Sequence, residues 1–125
     1  MSKTTKSYDE QWFWGIIGLV QRDRAELKKI LEGFTREEIE QFQDHFVEFS
    51  ADLQYEPYTD YMEKSEDGVE DVAHWIVSGG KKFYEDVLEK PEMAPHTVWG
   101  KNNENLYGVA DEVYMAKFNE TMDIY

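Results

Sequence analysis

The sequence predicts an all-α protein: a compact bundle of five to six helices in a single domain. Three observations predict it. Apolar residues recur at steps of 3 and 4 through most of the chain, the spacing of one helix face. Four of the apolar runs open with a Ser, Thr or Asp followed three residues later by Glu, the spacing of a capping box. No stretch alternates apolar and polar residues convincingly, as a half-buried strand would.

Taken in order, Ser7 and Glu10 form the first such pair, and residues 1–7 are expected to be a flexible lead. WFWGIIGLV then places Phe13, Ile16, Ile17 and Val20 on one face. Phe13 continues the apolar stripe, and a neighbouring tryptophan, Trp12 or Trp14, is expected to cover the core edge; Trp75 and Trp99 take the same reading. Asp23 and Glu26 start a second helix, with Leu27, Ile30 and Leu31 inward and Gly33 suited to a left-handed stop. Thr35 and Glu38 give the clearest box. Behind it Ile39, Phe42, Phe46, Phe49 and Leu53 define one long helix over about 36–54, which Pro57 follows closely.

Tyr55, Tyr58 and Tyr61 fall in the connection beyond it. Asp67 and Glu70 are the fourth pair, opening a helix with Val69, Val72, Ala73, Ile76 and Val77 inward, stopped by Ser78-Gly79-Gly80. KKFYEDVLEK is a short helix closed by Pro91, and PEMAPHTVWGKNN is a loop. A last helix over about 104–119 turns Leu106, Val109, Ala110, Val113 and Ala116 inward.

At 125 residues the chain suits one domain, 1–125, able to bury roughly two-thirds of its unfolded surface without a staple. It has no cysteine, so disulfides and thiolate chemistry are excluded. MSKTTKSYDEQ lacks the apolar run of a signal peptide, and no stretch approaches the length of a membrane span, so the chain reads as cytoplasmic. Acids outnumber bases 27 to 13, for a net charge of -14, which disfavours direct contact with nucleic acid. The excess is concentrated: residues 37–72 hold 13 acids and one base, Lys64.

DEQWFWGII near the start, REEIEQFQDHF in the long helix and SEDGVEDVAHWIVSGGKKFYEDVLEKPEMA carry a resemblance to a bacterial family, domain of unknown function 4240. The resemblance covers most of residues 9–120. It implies an all-helical domain and brings no reaction with it. The chain departs from the family series at Val69 and Val72, where aromatics are expected, and at His74, where arginine is expected.

Two constellations stand out. Glu63, Ser65, Asp67, Gly68 and Asp71 fit positions of a calcium loop, but His74 holds the twelfth position, where calcium takes a bidentate carboxylate. Asp67, Asp71 and His74 also share a helix face at i, i+4 and i+7, and carboxylate-x-x-His is half of a di-iron arrangement. The other half is missing, because neither His45 nor His96 has a carboxylate three residues before it. Acids crowded into a first helical turn suit the helix dipole without any ligand.

The second constellation is a row of carboxylates on the long helix: Glu37, Glu40, Asp44, Glu48 and Asp52, at steps of 3, 4, 4 and 4. No lysine or arginine lies between 37 and 63. Like charges at this spacing cost about 0.2–0.5 kcal/mol per pair, so the row costs about 1–2 kcal/mol. A helix shaped for stability alone would intersperse lysines. With Tyr55, Tyr58 and Tyr61, the row reads as a face that docks a basic protein partner. The function expected is therefore a non-catalytic binding module without a cofactor, an immunity protein or antitoxin against a basic toxin being one form of it. The alternatives are a small metal-dependent or acid/base enzyme centred on Asp67, Asp71 and His74, and a plain helical accessory domain whose acidity serves only solubility.

Overall fold

A computed structural model describes residues 8–124 and shows an all-helical bundle. The expected flexible lead and the Ser7 half of the first box lie outside those residues. Among the described residues there are six α-helices and no strand: α1 (Glu10–Val20), α2 (Arg24–Glu32), α3 (Arg36–Ala51), α4 (Glu66–Ser78), α5 (Lys81–Glu89) and α6 (Val109–Phe118). Short 3-10 turns lie at Tyr58–Tyr61, Pro91–Met93 and Asn102–Glu104. None of these helices is long and apolar enough to cross a membrane.

The caps explain the boundaries. Asp9 opens α1, its carboxylate accepting from the Trp12 N–H at 3.0 Å. Asp23 opens α2 by accepting from both Ala25 and Glu26. The Thr35–Glu38 box closes both ways at the start of α3, as its spacing predicts. The left-handed stop expected at Gly33 does not form, since its φ is -89°. Lys117 from α6 instead donates to the Glu32 and Phe34 carbonyls, placing a cation at the negative end of α2.

The cap of α4 is Ser65, not Asp67. The Ser65 hydroxyl accepts from the Gly68 N–H at 3.0 Å and donates to Glu63 at 3.2 Å. The Glu63 side chain folds over the helix start into the space that a Cβ on residue 68 would take. The long helix ends at Ala51, but two further turn bonds keep Leu53 buried. The last helix starts later than its apolar spacing suggests. Gly108, at φ 95°, breaks the backbone just before Val109. Ala116 then faces solvent, and Tyr114 takes its expected place in the core.

α3 is the central helix, packed against α1, α4 and α6, while α2 lies on α6 and α4 on α5. Phe13, Phe42 and Phe46 interlock at the middle, with ring centroids 5.1 to 6.2 Å apart. Leu27, Leu31, Ile39, Leu53 and Ile76 close around them with no exposed surface. Trp14 is buried, and Trp12 covers the edge, stacked on Phe34. Trp99 departs from the core reading: it is 90% exposed, carried on the loop before Asn102.

Candidate functional site

The burial of Ile39, Phe42 and Phe46 fixes the rotation of α3 and so decides what its opposite face presents. Glu37, Asp44, Glu48 and Asp52 are exposed and Glu40 is half-buried. The four ion pairs among the described residues, Arg24–Glu112, Lys29–Glu26, Arg36–Glu120 and Lys82–Asp86, all bypass this row. Its members are nevertheless not equivalent. The Tyr114 hydroxyl donates to Glu40 at 2.6 Å and accepts from Arg36 at 3.0 Å, which ties Glu40 into the fold. The bond to Glu40 raises the Tyr114 phenol above its ordinary pKa. Asp52 accepts from the Tyr84 hydroxyl at 3.1 Å; burial first, and the Asp52 charge second, push that phenol upward. Among the described residues, the carboxylates of the row left unengaged by hydrogen bond or ion pair are Glu37, Asp44 and Glu48.

The three tyrosines divide as well. Tyr55 and Tyr61 are 68% and 44% exposed. Tyr58 turns inward and donates to the Leu88 carbonyl at 3.2 Å, so it belongs to the fold rather than to an outer face. Beyond Tyr55 the acidity continues into an open groove of about 520 Å³, where Glu56, Asp60, Glu63, Glu66 and Glu70 face Lys64. On the other side of the α4 start, Glu63, Asp67 and Asp71 line a smaller groove of about 260 Å³ with Trp99. Burial, then the neighbouring charges of Asp67 and Glu63, raise the Asp71 carboxyl above its ordinary pKa.

His74 does not join Asp67 and Asp71. It lines a separate cleft of about 380 Å³ between α3 and α4, with Val47, Ser50, Ala51, Gln54, Glu70 and Tyr107. Its ring lies flat on Tyr107, centroids 3.7 Å apart and planes within 2°. Burial lowers its pKa from 6.5 to about 4, so the imidazole is neutral at physiological pH. Ser50 is 1% exposed, and its hydroxyl has no hydrogen-bond partner among the described residues. An unsatisfied buried hydroxyl costs about 1–3 kcal/mol. No group of three His, Asp or Glu side chains among the described residues is arranged to hold a metal. The span that would form a calcium loop is helical from Glu66 onward.

The sequence profile of a family described as Protein of unknown function (DUF4240) matches residues 8–118. The chain belongs to the DUF4240 family. No curated protein and no solved structure matches it. In this DUF4240 chain the long stretch that carries the resemblance is largely structural. Trp75 donates to Glu104 at 3.1 Å while the Arg22 guanidinium stacks on its ring at 3.9 Å. Ser78 accepts from the Leu106 N–H and donates to the His74 carbonyl, both at 2.8 Å. A Cβ on Gly79 would meet Arg22 at 2.5 Å and Phe83 at 2.8 Å.

Sequence reasoning missed the cleft residues Ser50, Gln54 and Tyr107, and it misplaced Trp99. One signal for Ser50 was present. Ser50 interrupts the apolar side of α3 one residue after Phe49, and a small hydroxyl at a core position marks a place where neighbours leave room. Tyr107 had no such signal, because its stacking on His74 depends on the path of the loop after Ser78.

Proposed function

We propose that this chain is a non-catalytic protein-binding module that docks a basic protein partner through the outer row of α3. Glu37, Asp44 and Glu48 are the charges offered, with Tyr55 and Tyr61 as aromatic anchors at the end of the row. The observation that carries this reading is the lack of any ion pair to the row among the described residues, although the chain carries 13 lysines and arginines. Unpaired like charge on a helix costs folding stability. The same charge speeds encounter with a positive surface and selects against negative ones. An immunity protein or antitoxin that neutralises a basic toxin is one form such a module takes, its carboxylates standing where nucleic-acid phosphates would lie.

The test replaces Glu37, Asp44 and Glu48 by lysine and follows association with a basic protein recovered from the native host. The expected outcome is an association rate lower by about tenfold or more at low salt, with the difference shrinking as salt rises. Equal rates for the two proteins at every salt concentration would remove the row from the interface.

A further inference from the structure

We infer that the row on α3 carries its own guard: the stretch 1–7, through Lys3 and Lys6, lies over Glu37, Asp44 and Glu48, and a basic partner docks by displacing it. This rests on the docking reading above and adds its regulation.

The path of the chain carries the inference. Tyr8 is fixed against α3 as well as at the start of α1. The His45 ring, from the middle of α3, donates to the Tyr8 carbonyl. The Tyr8 ring meets Trp12 edge-on, with centroids 5.2 Å apart, and Trp12 stacks on Phe34 just before α3. Burial first, then the charges of Glu38 and Glu37, raise the Tyr8 phenol above its ordinary pKa, so the phenol stands near the first turn of α3. The stretch before Tyr8 therefore leaves the fold beside the row. His45 is one residue from Asp44 and three from Glu48, and Glu37 lies on the phenol side.

Reach and charge supply the rest. An extended chain spans about 3.3–3.6 Å per residue, so Lys6 stays within about 7 Å of Tyr8 and Lys3 within about 18 Å. From Glu37 to Glu48 a helix rises about 16.5 Å. Together the two lysines cover the length of the row. MSKTTKS holds both of them and no acid. The acids nearest to it in sequence are committed elsewhere: Asp9 caps α1, and Glu10 sits close enough to Tyr84 on α5 for its charge to act there. Each exposed pair is weak, but the short tether keeps the lysines at about millimolar local concentration, so they occupy the row without sealing it. A partner that brings many positive charges displaces them, and a weakly basic one does not.

The test uses the full chain. Because the sequence has no cysteine, Ser2→Cys takes a nitroxide spin label at one place only. At low salt the label is expected to broaden the NMR amide signals of Glu37, Asp44 and Glu48, and the broadening should vanish at high salt. Lys3→Gln together with Lys6→Gln in the labelled chain should remove it too. No broadening along the row, or broadening indifferent to salt and to both lysines, overturns the contact. That measurement needs no partner, so its failure is distinct from failure of the docking reading. The hindrance to a partner is read with tetralysine as the probe, from amide shifts along α3. The chain with both lysines replaced should bind it about threefold more tightly than the native chain at low salt. Equal affinity overturns the guarding role. Tetralysine that shifts no amide of the row in either chain removes the docking reading and the guard with it, even where the spin label still places stretch 1–7 on the row.

Discussion

Where α1, α2 and α6 meet, the basic residues reach back to the chain's own groups; along α3, Glu37, Asp44 and Glu48 turn outward and meet no cation among the described residues. Arg22 donates to the Trp75 and Glu104 carbonyls, and Arg24 to the Asn105 and Tyr107 carbonyls as well as to Glu112. Arg36 reaches Tyr114 and Glu120, and Lys117 caps α2. These side chains staple loops and helix ends at a distance in sequence. The loop crossing from α5 to α6 has carbonyls that no helix satisfies, and guanidinium groups supply the donors. Arg22, Arg24 and Lys117 are thus engaged in holding the chain's own backbone. Of the α3 row, Glu37, Asp44 and Glu48 are left to solvent, with no cation paired to them among the described residues.

The comparison breaks most visibly at Arg22. Its guanidinium is half-buried, bonded to two carbonyls and stacked on Trp75, and burial lowers its pKa from the ordinary arginine value. Arg22→Ala is expected to cost about 2–4 kcal/mol in urea unfolding, from lost charge-assisted bonds and the stacked ring. A cost below about 0.5 kcal/mol would mean that the inward cations are decoration.

The next largest effect belongs to His74, on α4, whose ring stacks on Tyr107. Its folded pKa of about 4 lies below the unfolded 6.5, so the unfolded chain binds the extra proton first. Stability is therefore full above the unfolded value and falls as pH drops toward the folded one, by about 2 kcal/mol between pH 7 and pH 5. Chemical denaturation across that range should show the slope, and His74→Phe should flatten it. An identical slope in the variant would place the effect elsewhere.

The smallest effect has the opposite sign. Changing Glu37 and Glu48 to Gln and Asp44 to Asn should stabilise the fold by about 1–2 kcal/mol at low salt, and by little in high salt. Destabilisation on neutralising the row would show that these carboxylates serve the fold itself.

Much of this architecture is legible in the sequence itself. The Thr35–Glu38 box and the Phe42–Phe46 spacing set the position and rotation of α3, and with them the outward row. The parts that were not legible share a cause: they depend on contacts distant in sequence. Glu40 has the same spacing as Asp44, yet Tyr114, 74 residues away, draws it into the fold. Two polar residues competed to cap α4. Ser65 takes the cap in place of Asp67, its hydroxyl bonded both to the Gly68 N–H and to Glu63. Asp67, Asp71 and His74 share a face on a helical wheel, but the neighbours of α4 divide that face into two grooves.

Trp99 gives the molecule a reporter of its own. The indoles of Trp12, Trp14 and Trp75 are wholly or partly covered, whereas that of Trp99 stands in water beside Glu63, Asp67 and Asp71. The red-shifted part of the protein's fluorescence thus originates at one known spot. Caesium ions, concentrated there by the carboxylates, quench it more readily than iodide does, and anything that settles over the acidic loop changes both colour and quenching without a label being attached.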